Sequence, residues 1–346
     1  MNIEDYGWDG YFEKEWKKKH KEGMLPARII SDYGQFLRVV CEKGEGLVKR
    51  PVQKAYDEIN LAVGDWVAVD DLSEDQRSIC FVLPRKTKFS RAAAGYEVKE
   101  QIVAANVDVV FLIQSLNRDF NMRRLERYLI AAWESGAMPV VVLSKADCCD
   151  DLPQKLAEVY ETAPGVDVHA ISCVTGEGID DIKKYISKGK TAALLGSSGV
   201  GKSTLTNLLA GAELLKTSEV REKDSRGRHT TTHRELILLP QGGLIMDTPG
   251  MRTLLLWEAD TGMEMMFGDV EELTKKCRFY DCRHENEPGC AVKEALESGS
   301  LENTKWEAWV KLQKEQEYLE AKKQGKLRQR EKKWAKQIAS IKTDSY

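Results

Sequence analysis

The stretch LLGSSGVGKSTLTNLLAG, residues 194–211, restricts the possible folds more than any other part of the chain. Its pattern Gly196-x4-Gly201-Lys202-Ser203 is that of a phosphate-binding loop, whose glycines let successive backbone N–H groups wrap a di- or triphosphate. Gly196, Ser197, Ser198, Gly199, Val200 and Gly201 form the candidate cradle, Lys202 reaches the phosphates, Ser203 reaches magnesium, and Thr204 follows on the helix. TAALLG before the loop reads as a short buried strand, and KSTLTNLLA after it places Leu205, Leu208 and Leu209 on one helical face. Strand, glycine loop and helix in that order commit this region to an α/β sheet.

The loop sits in the middle of the chain, so the flanks decide what surrounds it. Upstream, from about residue 101, the hydrophobic runs VDVVFLIQSL, MPVVVLSKAD and VDVHAISC alternate with helical patterns such as RRLERYLIAAWESG and PQKLAEVYETA. That alternation predicts a parallel sheet with nucleotide at the carboxyl ends of its strands. From about 25 to 100, short β-type runs (ARIISDYGQFLRVVC, EGLVKR, GDWVAVD, SICFVLPRK) are separated by turn residues, and predict a small antiparallel barrel of the oligonucleotide-binding kind. Residues 1–24 are polar with interspersed Tyr6, Trp8, Tyr11, Phe12 and Trp16, an extension expected to pack locally. The expected division is therefore an extension at 1–24, a barrel at 25–100, the nucleotide domain at 101–257, and a helical module with a basic tail at 258–346. At 346 residues and 42% hydrophobic content the chain has material for several cores of this size.

Two further elements specify the nucleotide. SKAD, with Ser144, Lys145 and Asp147, ends a buried strand and is close to the guanine-reading pattern Asn-Lys-x-Asp. The Asp147 carboxylate can accept from both N1–H and N2–H₂ of guanine, a donor pair adenine lacks, and Lys145 can lay its alkyl stem on the base. Ser144 replaces the usual asparagine, which predicts a weaker brace between base and loop. Ser172-Cys173, at another strand end, matches the element whose backbone N–H meets the guanine carbonyl. DTPG then brings Asp247 toward magnesium through water and the Gly250 N–H toward a γ-phosphate. The order is base-reading Asp147, then Ser172-Cys173, then the phosphate loop, then DTPG, whereas an ordinary small GTPase begins with the phosphate loop. The chain therefore reads as a circular permutation, tolerated because all these elements meet at one sheet edge.

CRFYDCRHENEPGC supplies Cys277, Cys282, His284 and Cys290, three thiolates and an imidazole within fourteen positions. This is a complete tetrahedral set for one structural Zn²⁺ with no open position. The last stretch is strongly helix-forming apart from Gly325. It carries Lys322, Lys323, Lys326, Arg328, Arg330, Lys332, Lys333 and Lys336, cations that can track phosphates although the whole chain is only −3 in net charge. No apolar run approaches the ~20 residues of a membrane span, and the start MNIEDYGWDG is acidic rather than signal-like, so a cytoplasmic protein without membrane association is expected.

Taken together, the N-terminal β region, the permuted nucleotide motifs, GRHTTTHREL, DTPGMR and CRFYDCRHENEPGCAV resemble the ribosome small-subunit-dependent GTPase A family, the RsgA type, over roughly residues 25 to 320. That resemblance implies a late assembly factor of the bacterial 30S subunit. Its barrel and zinc module would grip rRNA near the decoding region, and its hydrolysis of GTP to GDP and phosphate would be stimulated by the subunit; a monomer is expected. It further implies that His229, in the HTTT segment, serves catalysis. Met251 stands where classical GTPases carry a water-orienting glutamine, so intrinsic turnover is expected to be slow. Thr231 is taken as the switch threonine on magnesium, with Thr230 and Thr232 remaining open beside it. Two other readings fit the same residues: an RNA-binding zinc protein using its nucleotide site only as a switch, and a permuted GTPase acting on another ribosomal particle.

Overall fold

The structure, a computed structural model, describes residues 1–51, 60–70, 78–92, 100–117, 119–215, 234–247 and 259–343; the side chains of Asp247 and of 326–343 are not among what it describes. Two compact units emerge, Met1–Ser90 with Ile102–Leu254, and Arg91–Gln101 with Leu255–Tyr346.

The first unit starts with a 3₁₀ turn at Ile3–Tyr6 and α1 (Gly10–Lys19), whose first turn is capped by the Asp9 carboxylate accepting the Tyr11 and Phe12 N–H groups. Five strands follow: β1 (Met24–Asp32), β2 (Phe36–Cys41), β3 (Gly44–Lys49), β4 (Trp66–Asp70) and β5 (Ile79–Val82). They pair antiparallel in the order β3-β2-β1-β4-β5, and among the described residues β5 pairs only with β4. In β2 the alternation of Leu37 and Val39 inside with Phe36 and Arg38 outside sets the buried face. Residues 1–24 do more than pack on themselves. Trp8 meets Trp66 edge-on at 4.8 Å, Phe12 lies 5.7 Å from Trp66, and Trp16 lies 6.1 Å from Phe81, so the extension covers β4 and β5.

Arg28 ties this arrangement together. It is fully buried, donating from Nη1 to the Tyr6 carbonyl, from Nη2 to the Asn106 carbonyl at 3.0 Å and from Nε to the Gly64 carbonyl at 3.3 Å. Three segments distant in sequence thus share one guanidinium, whose pKa burial pushes down to about 10.

β6 (Lys88–Ala92) and β7 (Glu100–Ala105) pair with each other. Then come β8 (Val109–Ser115), α2 (Met122–Ser135), β9 (Met138–Ser144), α3 (Leu152–Thr162), β10 (Asp167–Ile171), α4 (Ile179–Lys183), β11 (Thr191–Gly196), α5 (Lys202–Ala210), β12 (Glu235–Leu238) and β13 (Leu244–Asp247). The sheet runs β10-β9-β8-β11-β13-β12-β1-β2-β3. It is parallel from β10 to β13 and antiparallel beyond, with β12 joined to β1 at Glu235 opposite Ser31. Every residue of β8 is buried, as expected of a strand flanked by two others and packed on both faces. Phe111, Ile113, Val140, Val142, Leu194 and Ile245 form the centre of the core, and Leu205 and Leu209 dock α5 onto it. Leu208, expected on the same helical face, is 40% exposed: one turn of α5 buries a narrower stripe than the sequence pattern suggested.

From β8 the chain steps outward to β10, returns to β11 on the other side of β8, and continues to β13. The strand order therefore reverses between β8 and β11, which opens a crevice at their carboxyl ends where ligands bind in sheets of this type.

The second unit is helical among its described residues after 258: α6 (Asp260–Lys275), kinked at Phe267, α7 (Ala291–Ser298) and α8 (Asn303–Thr343), which passes through Gly325 without a break. Its core is small, built from Phe267, Val270, Val292, Ala295, Leu301, Leu312 and Leu319. No described helix is long and apolar enough to cross a membrane.

Candidate functional site

The phosphate loop leaves β11 at the crevice between β8 and β11. Gly196 pairs with Ile113 so closely that a Cβ would lie 2.7 Å from the Ile113 carbonyl oxygen, and Gly201 takes φ +101° at the turn into α5. Both positions require glycine. Lys202 opens α5 and folds its Nζ back onto the loop, donating to the carbonyls of Gly196 at 2.7 Å and Ser197 at 2.6 Å, with Ser203 half-buried beside it and Thr204 exposed. Ser198 and Gly199 form the exposed tip, and Val200 tucks back into the core.

The base-reading candidates lie two strands across, at the end of β9. Ser144 is buried, and its hydroxyl donates to the Val200 carbonyl at 2.7 Å. Serine therefore bonds the phosphate loop directly. Lys145 takes a left-handed backbone (φ 63°), which turns the chain so that Asp147 stands exposed in a 3₁₀ turn, Ala146–Cys148. Hydrogen bonds from Ser172 and then Cys148 hold the Asp147 carboxyl below its usual range, keeping it an acceptor. Ser172, fully buried after β10, also accepts the N–H groups of Val174 and Thr175 at 3.2 and 3.1 Å, which fixes the turn carrying Cys173. Burial pushes the half-buried Cys173 thiol up, an effect strengthened by the nearby Asp147 charge.

So Ser144, Lys145, Asp147, Ser172, Cys173 and the whole of Gly196–Ser203 gather at the carboxyl ends of β9, β10 and β11. Asp247 closes β13, next to β11. His229, Thr230, Thr231, Thr232, Gly250 and Met251 lie outside the described residues. One residue of this crevice escaped the sequence reading: Asp119, in the turn after β8, accepts a hydrogen bond from the Ser197 hydroxyl. Within SLNRDFN it looks like an ordinary loop acid, and only the β8–β11 pairing reveals its place.

In the second unit, Cys277, Cys282, His284 and Cys290 bring one ligand atom each within 4.8 Å of one another. His284 Nδ1 is 3.5 Å from Cys277 Sγ and 3.6 Å from Cys290 Sγ, and the two sulfurs are 3.9 Å apart. Tetrahedral zinc with its usual bond lengths gives edges of roughly 3.8 Å between sulfurs and roughly 3.5 Å between sulfur and nitrogen, so the donor set fits. Burial lowers the His284 pKa, which favours the neutral imidazole a metal needs, and pushes Cys282 up to about 11, a preference a central cation would reverse. Two features sequence spacing did not reveal support the cluster. Trp306 of α8 meets the His284 ring edge-on at 5.3 Å. The Glu287 carboxylate accepts the N–H groups of Arg283, Glu285 and Asn286, each at 3.0 Å, and those bonds pull its pKa down to about 2.

The family model described as RsgA GTPase matches residues 82–257. A second, described as ABC transporter, matches residues 179–340, a span that contains the same phosphate loop and less than half of the chain. The small ribosomal subunit biogenesis GTPase RsgA 1 of Listeria innocua is 44% identical over 99% of this chain and 98% of its own. RsgA 2 of Vibrio parahaemolyticus is 42% identical over 91% of this chain and 86% of its own. Among solved structures, YjeQ from Thermotoga maritima is similar with a TM-score of 0.59 and 28% identity, covering 84% of this chain and 97% of that one. YloQ, described as a circularly permuted GTPase, shares the fold with a TM-score of 0.56 and 23% identity, over 88% of this chain and 98% of its own. The fold around the β8–β11 crevice is thus shared with solved circularly permuted GTPases, and the chain belongs to the RsgA GTPase family.

Proposed function

We propose that this GTPase acts on the small ribosomal subunit in late 30S maturation near the decoding region, where the subunit stimulates hydrolysis of GTP and hydrolysis drives release. The observation that carries the nucleotide half of this reading is the Ser144–Val200 hydrogen bond, which locks the base-reading turn to the phosphate loop across the crevice. Gly196–Thr204 cradle the phosphates, Lys202 neutralises the β- and γ-charge, and Lys145, Asp147, Ser172 and Cys173 select guanine. Magnesium bound with GTP would neutralise phosphate charge, held by Ser203 and Thr231 and, through water, by Asp247, while Gly250 would meet the γ-phosphate. His229 is our catalytic assignment. Zinc is the metal we assign to Cys277, Cys282, His284 and Cys290, in a structural role, since three thiolates and an imidazole disfavour magnesium or calcium.

The ribosome half rests on the names of the relatives and on surface chemistry. We read β1–β5 as an oligonucleotide-binding type of barrel at 25–100, between an extension at 1–24 and a GTPase domain at 101–257, with a zinc module and basic tail at 258–346. On the outer face of β2 and β3, exposed Phe36 lies opposite Lys49 and exposed Leu47 opposite Arg38, with Tyr33 and Arg50 at the adjoining turn. Arg38 is paired with Glu45 and Glu235 and Arg50 with Asp32, so the exposed rings of Tyr33 and Phe36 suit stacking on single-stranded rRNA, with Lys49 beside them for phosphate contact. A monomeric, cytoplasmic protein without membrane association fits this role.

The test is GTP turnover by the purified protein with small subunits, with large subunits, and with ATP in place of GTP. Stimulation by small subunits alone supports the reading; turnover indifferent to both particles refutes the partner. Lys202→Ala should abolish nucleotide use, and wild-type hydrolysis by that variant would remove the phosphate-loop assignment.

A further inference from the structure

The crevice between β8 and β11 contains an ion pair that the nucleotide motifs do not include. Gly196 and Ile113 are register partners, so the two chains leave the sheet side by side, one as the phosphate loop and the other as the turn to α2. In that turn Asp119 accepts from the Ser197 hydroxyl, the first side chain of the loop after Gly196. Arg124, in the first turn of α2, grips the same carboxylate with Nη1–Oδ1 at 3.1 Å and Nη2–Oδ2 at 3.0 Å, and Nη2 also donates to the Asp119 carbonyl. The guanidinium reaches Oε1 of the fully buried Gln114 at 3.4 Å, and the Asn121 side chain caps α2 by accepting the Arg124 N–H at 3.0 Å.

A phosphate loop works by pointing several N–H dipoles at one place, an arrangement that must be held in position before the ligand arrives. Ser197 is held from outside the loop by a charged acceptor, the stronger class of hydrogen bond. A bare carboxylate at that distance from the cradle would repel a triphosphate, and Arg124 cancels the charge while fixing the carboxylate's direction with two bonds.

We propose that Asp119 and Arg124 are positioning residues for guanine nucleotide: a neutral clasp that presets the phosphate loop through Ser197. The proposal rests on reading Gly196–Ser203 as the phosphate site.

The experiment measures affinity of the full-length protein for a fluorescent GDP analogue, with kcat at saturating GTP and the unfolding midpoint for each variant. Asp119→Asn and Ser197→Ala should each weaken binding about tenfold, and the double variant should be no weaker than the worse single one. Arg124→Gln, which leaves the carboxylate unopposed, should weaken binding more than either. Adding Asp119→Asn to it should restore affinity to the level of Asp119→Asn alone. For Asp119→Asn and Arg124→Gln, which lie outside the cradle, kcat at saturation should stay within about twofold of wild type, the signature of lost binding rather than lost chemistry. Additive losses in the double variant, or an Arg124→Gln defect that Asp119→Asn does not relieve, would overturn the clasp, as would a lowered unfolding midpoint with unchanged affinity. Lys202→Ala measured alongside separates the two levels. If it binds nucleotide like wild type, the site reading fails; if it does not bind and the Asp119–Ser197 cycle shows no coupling, only the clasp fails.

Discussion

The phosphate loop and the Cys/His segment are both short runs of turns, but they derive their shape from different sources. Gly196–Ser203 is set between β11 and α5, with Val200 in the main core, Ser144 at the end of β9 and Asp119 in the turn after β8 bonded to it, and Gly196 pressed against Ile113. Residues 277–290 have sparser surroundings: Cys290 is their one buried residue, and their ends meet through the Arg278 N–H donating to the Gly289 carbonyl at 3.1 Å and through the convergence of four ligand side chains. A loop built by a sheet exists before its ligand. A loop built by ligands depends on the metal for its folding free energy.

The largest effect should come from removing the zinc we assign to this cluster. Structural zinc binding is worth on the order of 10–16 kcal/mol in small zinc domains, so a zinc-selective chelator or Cys282→Ser should unfold the 277–290 segment and change the near-ultraviolet signal of Trp306 and Trp309, which stack at 5.1 Å next to His284. An unchanged signal with metal stoichiometrically removed would erase the contrast between the two regions.

Next in size is Arg28→Ala. Losing a buried cation that satisfies three carbonyls should cost about 3–5 kcal/mol in urea unfolding, and Arg28→Lys should not restore it because one ammonium cannot reproduce a planar fork toward Tyr6, Gly64 and Asn106. A loss within experimental error would mean that residues 1–24 are not fastened to the sheet in the way described.

Ser144→Ala tests the prebuilt loop directly. Without its hydroxyl the Val200 carbonyl loses a partner, and guanine-nucleotide affinity should fall about tenfold while unfolding changes by about 1–2 kcal/mol. Equal affinity would show that the two halves of the crevice are shaped independently.

The smallest effect lies at the edge of the same sheet. Tyr185 donates to Asp167 Oδ2 at 2.8 Å, and burial followed by that bond raises its phenol to about 12. Because the folded pKa lies above the unfolded value of about 10, the stabilisation is complete below pH 10 and disappears as pH rises toward 12. Tyr185→Phe should flatten stability over that alkaline window and remove one late-titrating phenol from the tyrosinate absorbance. A wild-type titration with every phenol near pH 10 would contradict the bond.

The sequence carried much of this because the nucleotide and metal motifs are local. The glycine spacing of Gly196–Gly201, the Cys/His spacing of 277–290 and the β–α alternation after residue 101 each depend on neighbours a few positions away. The contacts of Asp119, Arg28 and Ser144 were illegible for the opposite reason. Their partners stand 78, 22 to 78 and 56 positions away, and only strand pairing brings them into contact. The continuity of the β1–β5 strands with the α/β sheet through Ser31 and Glu235 is likewise invisible in any window, because those partners stand 204 positions apart.

The contrast between the two regions is tested most directly by hydrogen exchange on the full-length protein with and without a zinc-selective chelator. The account predicts that chelation exposes the amides of residues 277–290 while those of β8 and β11 keep their protection. Undiminished protection at 277–290, or loss of protection in β8 and β11 as well, would contradict it.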